Sequence, residues 1–153
     1  MIARRHFTTM LLLFAGATQA AEIKSPLPYV LKAEEVEQGW IALFDGETLF
    51  GWRAESKADW QVKNGAIMVS SGERGLLRTT SQFSDYILRL QFRSAAGTNS
   101  GVFLHTPPRP KNPTADCYEL NIADSDNPFP TGSFVGRKKV EGKHDSPYWQ
   151  DYE

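Results

Sequence analysis

Apolar and polar residues alternate with a period of two through much of this chain, a rhythm that fits strands and not helices. It is cleanest over residues 86–94 (YILRLQFRS). There Tyr86, Leu88, Leu90 and Phe92 fall on one face, and Ile87, Arg89, Gln91 and Arg93 on the other. Further strand-like runs are read at residues 40–44, 60–63, 66–70, 76–79, 101–106 and 118–123. The chain's 12 glycines and 9 prolines are spread among them. Asn64-Gly65 sits between two runs and is a two-residue hairpin signal, because both residues tolerate positive φ. Short runs with turn signals between them predict an all-β, antiparallel two-sheet sandwich. One exception is residues 32–38 (KAEEVEQ), a short surface helix following Pro26 and Pro28. The Pro-rich residues 107–113 read as a rigid loop within one domain.

The amino terminus points to export. Arg4 and Arg5 form a charged region, residues 10–15 (MLLLFA) a short apolar one, and small residues follow to Ala20 and Ala21. This is the pattern of a cleaved signal peptide, and the apolar run is too short to span a bilayer. The expected organisation is a signal peptide at 1–21, an extension at 22–38 and one domain at 39–153, in a periplasmic or secreted protein. Removal of residues 1–20 leaves 15 basic against 18 acidic side chains and moves the formal charge from −1 to −3. A weakly acidic chain without a basic block is a poor partner for nucleic acid or an anionic membrane. Cys117 is the single cysteine, so no intrachain disulfide can form, and a lone strand cysteine reads as packing. No zinc-ligand spacing and no phosphate-binding glycine loop occurs, so neither a metal nor a cofactor is expected.

Chemistry concentrates in residues 99–105 (NSGVFLH) and 117–124 (CYELNIAD). Alternation puts Glu119 and Asn121 on one side, and Tyr118, Leu120 and Ile122 on the other. On the first strand His105 shares a face with Phe103. A carboxylate, an amide and an imidazole on neighbouring strands form either an acid/base or sugar-binding cluster, or the solvated face of a half-buried sheet. Arg89 and Arg93 offer planar donor pairs to sugar hydroxyls, or form a solvated outer row. Trp40, Trp52, Trp60 and Trp149 read as core or corner packing. Asp124, Asp126 and Asn127 supply oxygen ligands of the kind calcium takes, although a solvated turn explains them more simply. Lys138, Lys139, Lys143 and His144 form a charged surface loop.

Residues 39–53 (GWIALFDGETLFGWR) resemble the opening signature of the 3-keto-disaccharide hydrolase domain family. Matching segments follow in order at 60–65 (WQVKNG), 76–77, 83–92 (FSDYILRLQF), 99–104 (NSGVFL), 118–124 and 131–133 (TGS). The resemblance implies a concanavalin A-like or laminin G-like jelly-roll acting on carbohydrate. Two positions depart from the family pattern: Asn121 stands where a glutamine is common, and His105 where an arginine is common. The second exchange replaces a permanent cation by an imidazole, a group that titrates near neutral pH. Relatives continue beyond the segment represented here by Trp149, Tyr152 and Glu153. The chain is therefore expected to lack about two sandwich strands, and to be poorly soluble alone.

The chemistry the resemblance implies is proton abstraction from C2 of a 3-keto-glycoside, elimination of the C1 substituent and addition of water. Such a reaction needs a base, a donor to the enolate oxygen and an acid for the leaving group. Glu119 is the candidate base or acid and His105 its partner or the enolate donor. Asn99 and Asn121 are expected to orient hydroxyls, with Asp124, Arg89 and Arg93 as further substrate contacts. Two alternatives stand beside it. A carbohydrate-binding sandwich would need only aromatic platforms and amides. An ordinary retaining glycosidase would use Glu119 and Asp124, whose odd spacing puts them on opposite faces unless a bulge intervenes.

Overall fold

The structure, a computed structural model, describes residues 30–144 and 146–153. The signal-peptide reading of residues 1–21, and residues 22–29 of the extension, lie outside the described residues. The described elements are α1 (Ala33–Glu37), β1 (Trp52–Ala54), β2 (Ala58–Lys63), β3 (Ala66–Gly72), β4 (Leu77–Thr79) and β5 (Leu90–Phe92). They continue with β6 (Asn99–Leu104), α2 (Pro113–Asp116), β7 (Tyr118–Ala123) and β8 (Gln150–Tyr152). Strands pair as β1–β4, β2–β3, β5–β8 and β6–β7. The β1–β4, β2–β3 and β6–β7 ladders are antiparallel. With two short helices and these ladders, the chain is all-β as its alternation predicts.

Contacts divide the chain into two compact units, one running to Leu90 and including Tyr152–Glu153, the other Gln91–Asp151. In the first unit, the expected helix at 32–38 is α1, entered at Lys32 and left at Gln38. The Glu35 carboxylate accepts from the Lys32 amide at 2.9 Å, which satisfies a donor at the helix start. The chain then turns at Gly39 and brings in Trp40, which is 4% exposed and packed by Leu31, Leu43 and Leu88. The β2–β3 hairpin closes as its sequence requires: Asn64 and Gly65 both have positive φ, at 54° and 72°. Along β2, Ala58, Trp60 and Val62 are half-buried while Asp59, Gln61 and Lys63 are exposed.

Two expected strands change. Residues 40–44 form no ladder, because their backbone groups are engaged elsewhere. The Trp40 amide donates to the Glu35 carbonyl at 2.9 Å, and the Leu43 carbonyl accepts from the Trp52 indole at 2.6 Å. The long run at 86–94 pairs only over Leu90–Phe92, the length of its three-residue partner β8.

The second unit is built on β6–β7, whose register sets Asn99 opposite Ala123, Gly101 opposite Asn121, and Phe103 opposite Glu119. Among the described residues, Phe92, Cys117, Ile122, Ala123 and Pro130 are buried in it. The loop expected at 107–113 is present over residues 107–112 and is followed by a helical turn beginning at Pro113. The Asn112 side chain accepts from the Thr114 and Ala115 amides, Pro113 occupies the first helical position, and Asp116 accepts from the Lys111 and Asn112 amides.

Candidate functional site

β7 is held on both edges. β6 lies along one, and residues 131–135 run along the other. Val135 donates to the Glu119 carbonyl (3.0 Å), Asn121 to the Ser133 carbonyl (2.8 Å) and Thr131 to the Ala123 carbonyl (3.1 Å). Two buried hydroxyls fix this second edge. Thr131 Oγ1 accepts from the Ala123 amide and donates to the Ala123 carbonyl, at 3.0 and 2.9 Å. Ser133 Oγ accepts from the Val140 amide at 3.1 Å. A strand hydrogen-bonded on both sides is a rigid carrier for whatever it presents.

On one face it presents Glu119. Directly opposite residues of an antiparallel pair share a face, so Asn99, Gly101 and Phe103 line up with Ala123, Asn121 and Glu119. The Glu119 side chain leans diagonally over Gly101. A β-carbon at position 101 would lie 2.9 Å from both Glu119 Cγ and Oε1. Half-burial in this position raises the pKa of the Glu119 carboxyl, since desolvation disfavours the charged form. Asn99 is exposed at the start of β6.

Asn121, next along the same face, is 2% exposed, and its Nδ2 donates to the Phe129 carbonyl. That arrangement ties β7 to the turn before residues 131–135. Asn121→Ala is expected to cost about 1–3 kcal/mol in urea unfolding, because the part-buried Phe129 carbonyl loses this donor. Unchanged stability together with a raised KM for a sugar substrate would instead place Asn121 among the substrate contacts.

His105 leaves the face that alternation assigns it. β6 ends at Leu104, and His105 has φ +50°, which takes it out of the strand. Its ring is exposed and meets Tyr118 edge-on, with centroids 6.2 Å apart. Tyr118 lies on the face opposite Glu119, where Arg137 covers its ring at 4.4 Å and Phe134 meets it edge-on at 6.4 Å. The structure thus brings together Glu119, Gly101 and Asn121, and it sets His105 with Tyr118.

The remaining candidates are engaged with neighbours. Asp124 Oδ2 accepts from the Gly97 amide at 2.6 Å and holds the turn leading into β6. In the first unit Arg89 pairs with Glu153 at 2.9 Å and lies over the Trp40 ring at 5.1 Å. In the second, Arg93 lies over the Trp149 ring at 5.4 Å, and Gln91 donates to Asp151 at 2.9 Å. Cys117 is 3% exposed, and burial pushes its thiol pKa up, which suits packing and not nucleophilic work.

The sequence profile of the 3-keto-alpha-glucoside-1,2-lyase-like domain matches residues 39–153. The chain belongs to this family. It is also 28% identical over 113 residues to a protein of Bacteroides thetaiotaomicron described as a 3-keto-disaccharide hydrolase. That match covers 58% of this chain and 39% of the relative, so the chain spans about two fifths of that relative's length. No solved structure matches the chain significantly.

Family membership gives the opening signature a structural reading. Asp45 Oδ1 accepts from the Glu47 and Thr48 amides at 2.8 and 2.7 Å, and Oδ2 accepts from the Thr48 hydroxyl at 2.5 Å. The Thr48 hydroxyl, first among these donors, holds the exposed Asp45 carboxyl below the usual carboxylate range. With the Trp52 indole bonded to the Leu43 carbonyl, residues 43–52 form a closed loop stitched by their own polar groups. The signature is architecture. Gly101 and Arg137 are the residues that reading of the sequence passed over. A glycine inside a strand is itself a signal of close approach, and Gly101 carries it. Arg137, which also donates to the Thr114 and Cys117 carbonyls, has no comparable local signal.

Proposed function

We propose that this chain is an exported carbohydrate-active protein of a jelly-roll sandwich type that cleaves 3-keto-glycosides, with Glu119 as the proton-transfer group. The observation that carries the reading is the half-buried Glu119 carboxyl, with its raised pKa, on a strand fixed along both edges. Family membership and the Bacteroides relative supply the substrate class. The charged and then apolar residues near the amino terminus supply the compartment, periplasmic or secreted.

The chemistry follows from the ketone. A carbonyl at C3 acidifies the C2 hydrogen, Glu119 takes that proton, and the electron pair passes into the enolate. Collapse of the enolate forms the C1–C2 double bond and breaks the C1–O bond, and the departing oxygen is protonated. Water then adds across the double bond, hydroxyl to C1 and proton to C2, so the sum is hydrolysis. A carboxyl with a raised pKa suits both halves, because it takes a proton and gives it back near the working pH. Asn99, exposed at the start of β6 on the Glu119 face, is the proposed contact for substrate hydroxyls, and no enolate donor is assigned to His105, which stands with Tyr118. Asn121 acts by holding the strand.

The carbohydrate-binding alternative needs open aromatic platforms. Trp40 is almost fully buried beneath Arg89 and Arg93 covers Trp149, but Phe50 and Tyr148 are exposed, so the aromatic side chains do not decide against it. Retaining glycoside hydrolysis needs Glu119 and a second free carboxyl about 5–5.5 Å away. Asp124 lies beyond the end of β7 and is engaged by Gly97, which weighs against that reading.

Incubation with a 3-keto-glucoside and with the matching unoxidised glucoside in deuterated water, followed by NMR, tests the proposal. The expected result is turnover of the keto sugar alone, with deuterium entering at C2. Line broadening of both sugars without turnover would replace it by the binding reading.

A further inference from the structure

We propose that Gly101 is the positioning residue for Glu119: the missing side chain at 101 is the seat in which the Glu119 carboxyl lies against the β6–β7 ladder. Glycine inside a strand weakens it, through lost entropy and lost packing, so its presence in the middle of β6 needs a physical reason. Conformation is not that reason. Gly101 is absent from the glycines with positive φ, so its backbone is one any residue adopts. The reason is room. A β-carbon there would meet Glu119 Cγ and Oε1, both at 2.9 Å, and the Leu120 carbonyl oxygen at 3.1 Å.

Of these three atoms, the Leu120 oxygen belongs to a backbone bonded into the sheet. The Glu119 side chain is the part able to move. Alanine at 101 therefore lifts the carboxyl off the ladder and into water. A carboxyl returned to water is no longer held half-buried, and its titration falls back toward the ordinary range. Proton transfer is sensitive to displacement on this scale, with about 100-fold lost for a misplacement of about 1 Å.

The inference deepens the proposed function, resting on Glu119 as the proton-transfer group, and its test has arms that do not depend on turnover. In Gly101→Ala the midpoint of the Glu119 carboxyl, followed by carbon-13 NMR with Glu119→Gln as the assignment control, should fall. With a 3-keto-glucoside, kcat should drop about 10- to 100-fold with KM within about twofold. The acid limb of the kcat profile should shift to lower pH, since the base ionises earlier. An unmoved Glu119 midpoint with unchanged kcat overturns the proposal.

A stability cycle decides the point even if Gly101→Ala melts too low for kinetics. The loss of melting temperature caused by Gly101→Ala should largely vanish in a Glu119→Ala background, where nothing occupies the seat. Equal losses in both backgrounds, or failure of both to fold, assign the glycine to the Leu120 carbonyl and overturn the proposal. Wild-type protein without turnover would sink the proposed function while leaving the NMR and melting arms to decide Gly101.

Discussion

Glu119→Gln should abolish most turnover of a 3-keto-glucoside, lowering kcat by about 10²–10⁴ while KM changes little. Glutamine keeps the length and shape of the side chain and so keeps its place over Gly101, but an amide cannot accept the C2 proton. Deuterium exchange at C2 separates the two roles open to the carboxyl. If Glu119 is the base, exchange and C1–O cleavage are lost together. If it is the acid for the leaving group, exchange persists while cleavage stops. Full turnover in Glu119→Gln would remove the residue from the mechanism.

The same substitution carries a stability signature whose sign follows from the raised pKa. The folded protein holds the Glu119 proton more tightly than the unfolded chain does. This carboxyl's contribution is therefore fully favourable below the unfolded value, and it is lost as pH rises through the folded one. Between the ordinary value of 4.5 and the raised folded value, stability falls with pH on account of this group. Glu119→Gln removes that slope. Asp45 acts in the opposite sense, since its carboxyl is held low by the Thr48 hydroxyl. Its contribution is present above the unfolded value and is lost as pH falls through the folded one.

Local signals were legible where one residue type has one physical use. Asn64-Gly65 tolerates positive φ at both positions and closes the β2–β3 hairpin. The 118–123 strand was read with the bounds β7 has, because alternation over its six residues admits only one face assignment. The same reasoning stops at the strand's end. His105 leaves β6 with positive φ, and alternation, blind to φ, kept it beside Glu119. Asn121 shows a second limit: alternation placed its face, but only the course of residues 129–135 shows that a loop carbonyl occupies its Nδ2. For α2 the signal was present in the Asn-Pro-x-x-Asp run and was outweighed by proline content. Residues 40–44 failed because alternation is blind to the partners that take their backbone groups, a carbonyl within α1 five residues back and an indole nine residues on.

Trp40→Ala should lower stability by about 3–5 kcal/mol, the range for truncating a large buried aromatic side chain. Among the described residues Trp40 is the one buried apolar side chain of its unit, since Phe92, Cys117, Ile122 and Ala123 all belong to the other. Leu31, Leu43 and Leu88 pack on it, and the chain enters it directly from the end of α1. Truncation leaves a cavity among Leu31, Leu43 and Leu88. Arg89 loses the ring beneath its guanidinium, a contact worth about 0.5–1 kcal/mol at a partly exposed site, although its pairing with Glu153 persists. Against a typical total of about 5–15 kcal/mol, such a loss brings the chain close to unfolding at ambient temperature. Trp40→Phe keeps an aromatic face for Arg89 and part of the volume, so its loss should be clearly smaller. Urea unfolding followed by circular dichroism compares the two. A loss below about 1 kcal/mol for Trp40→Ala would mean that the leucines close over the gap, and that the indole is not what holds this unit together.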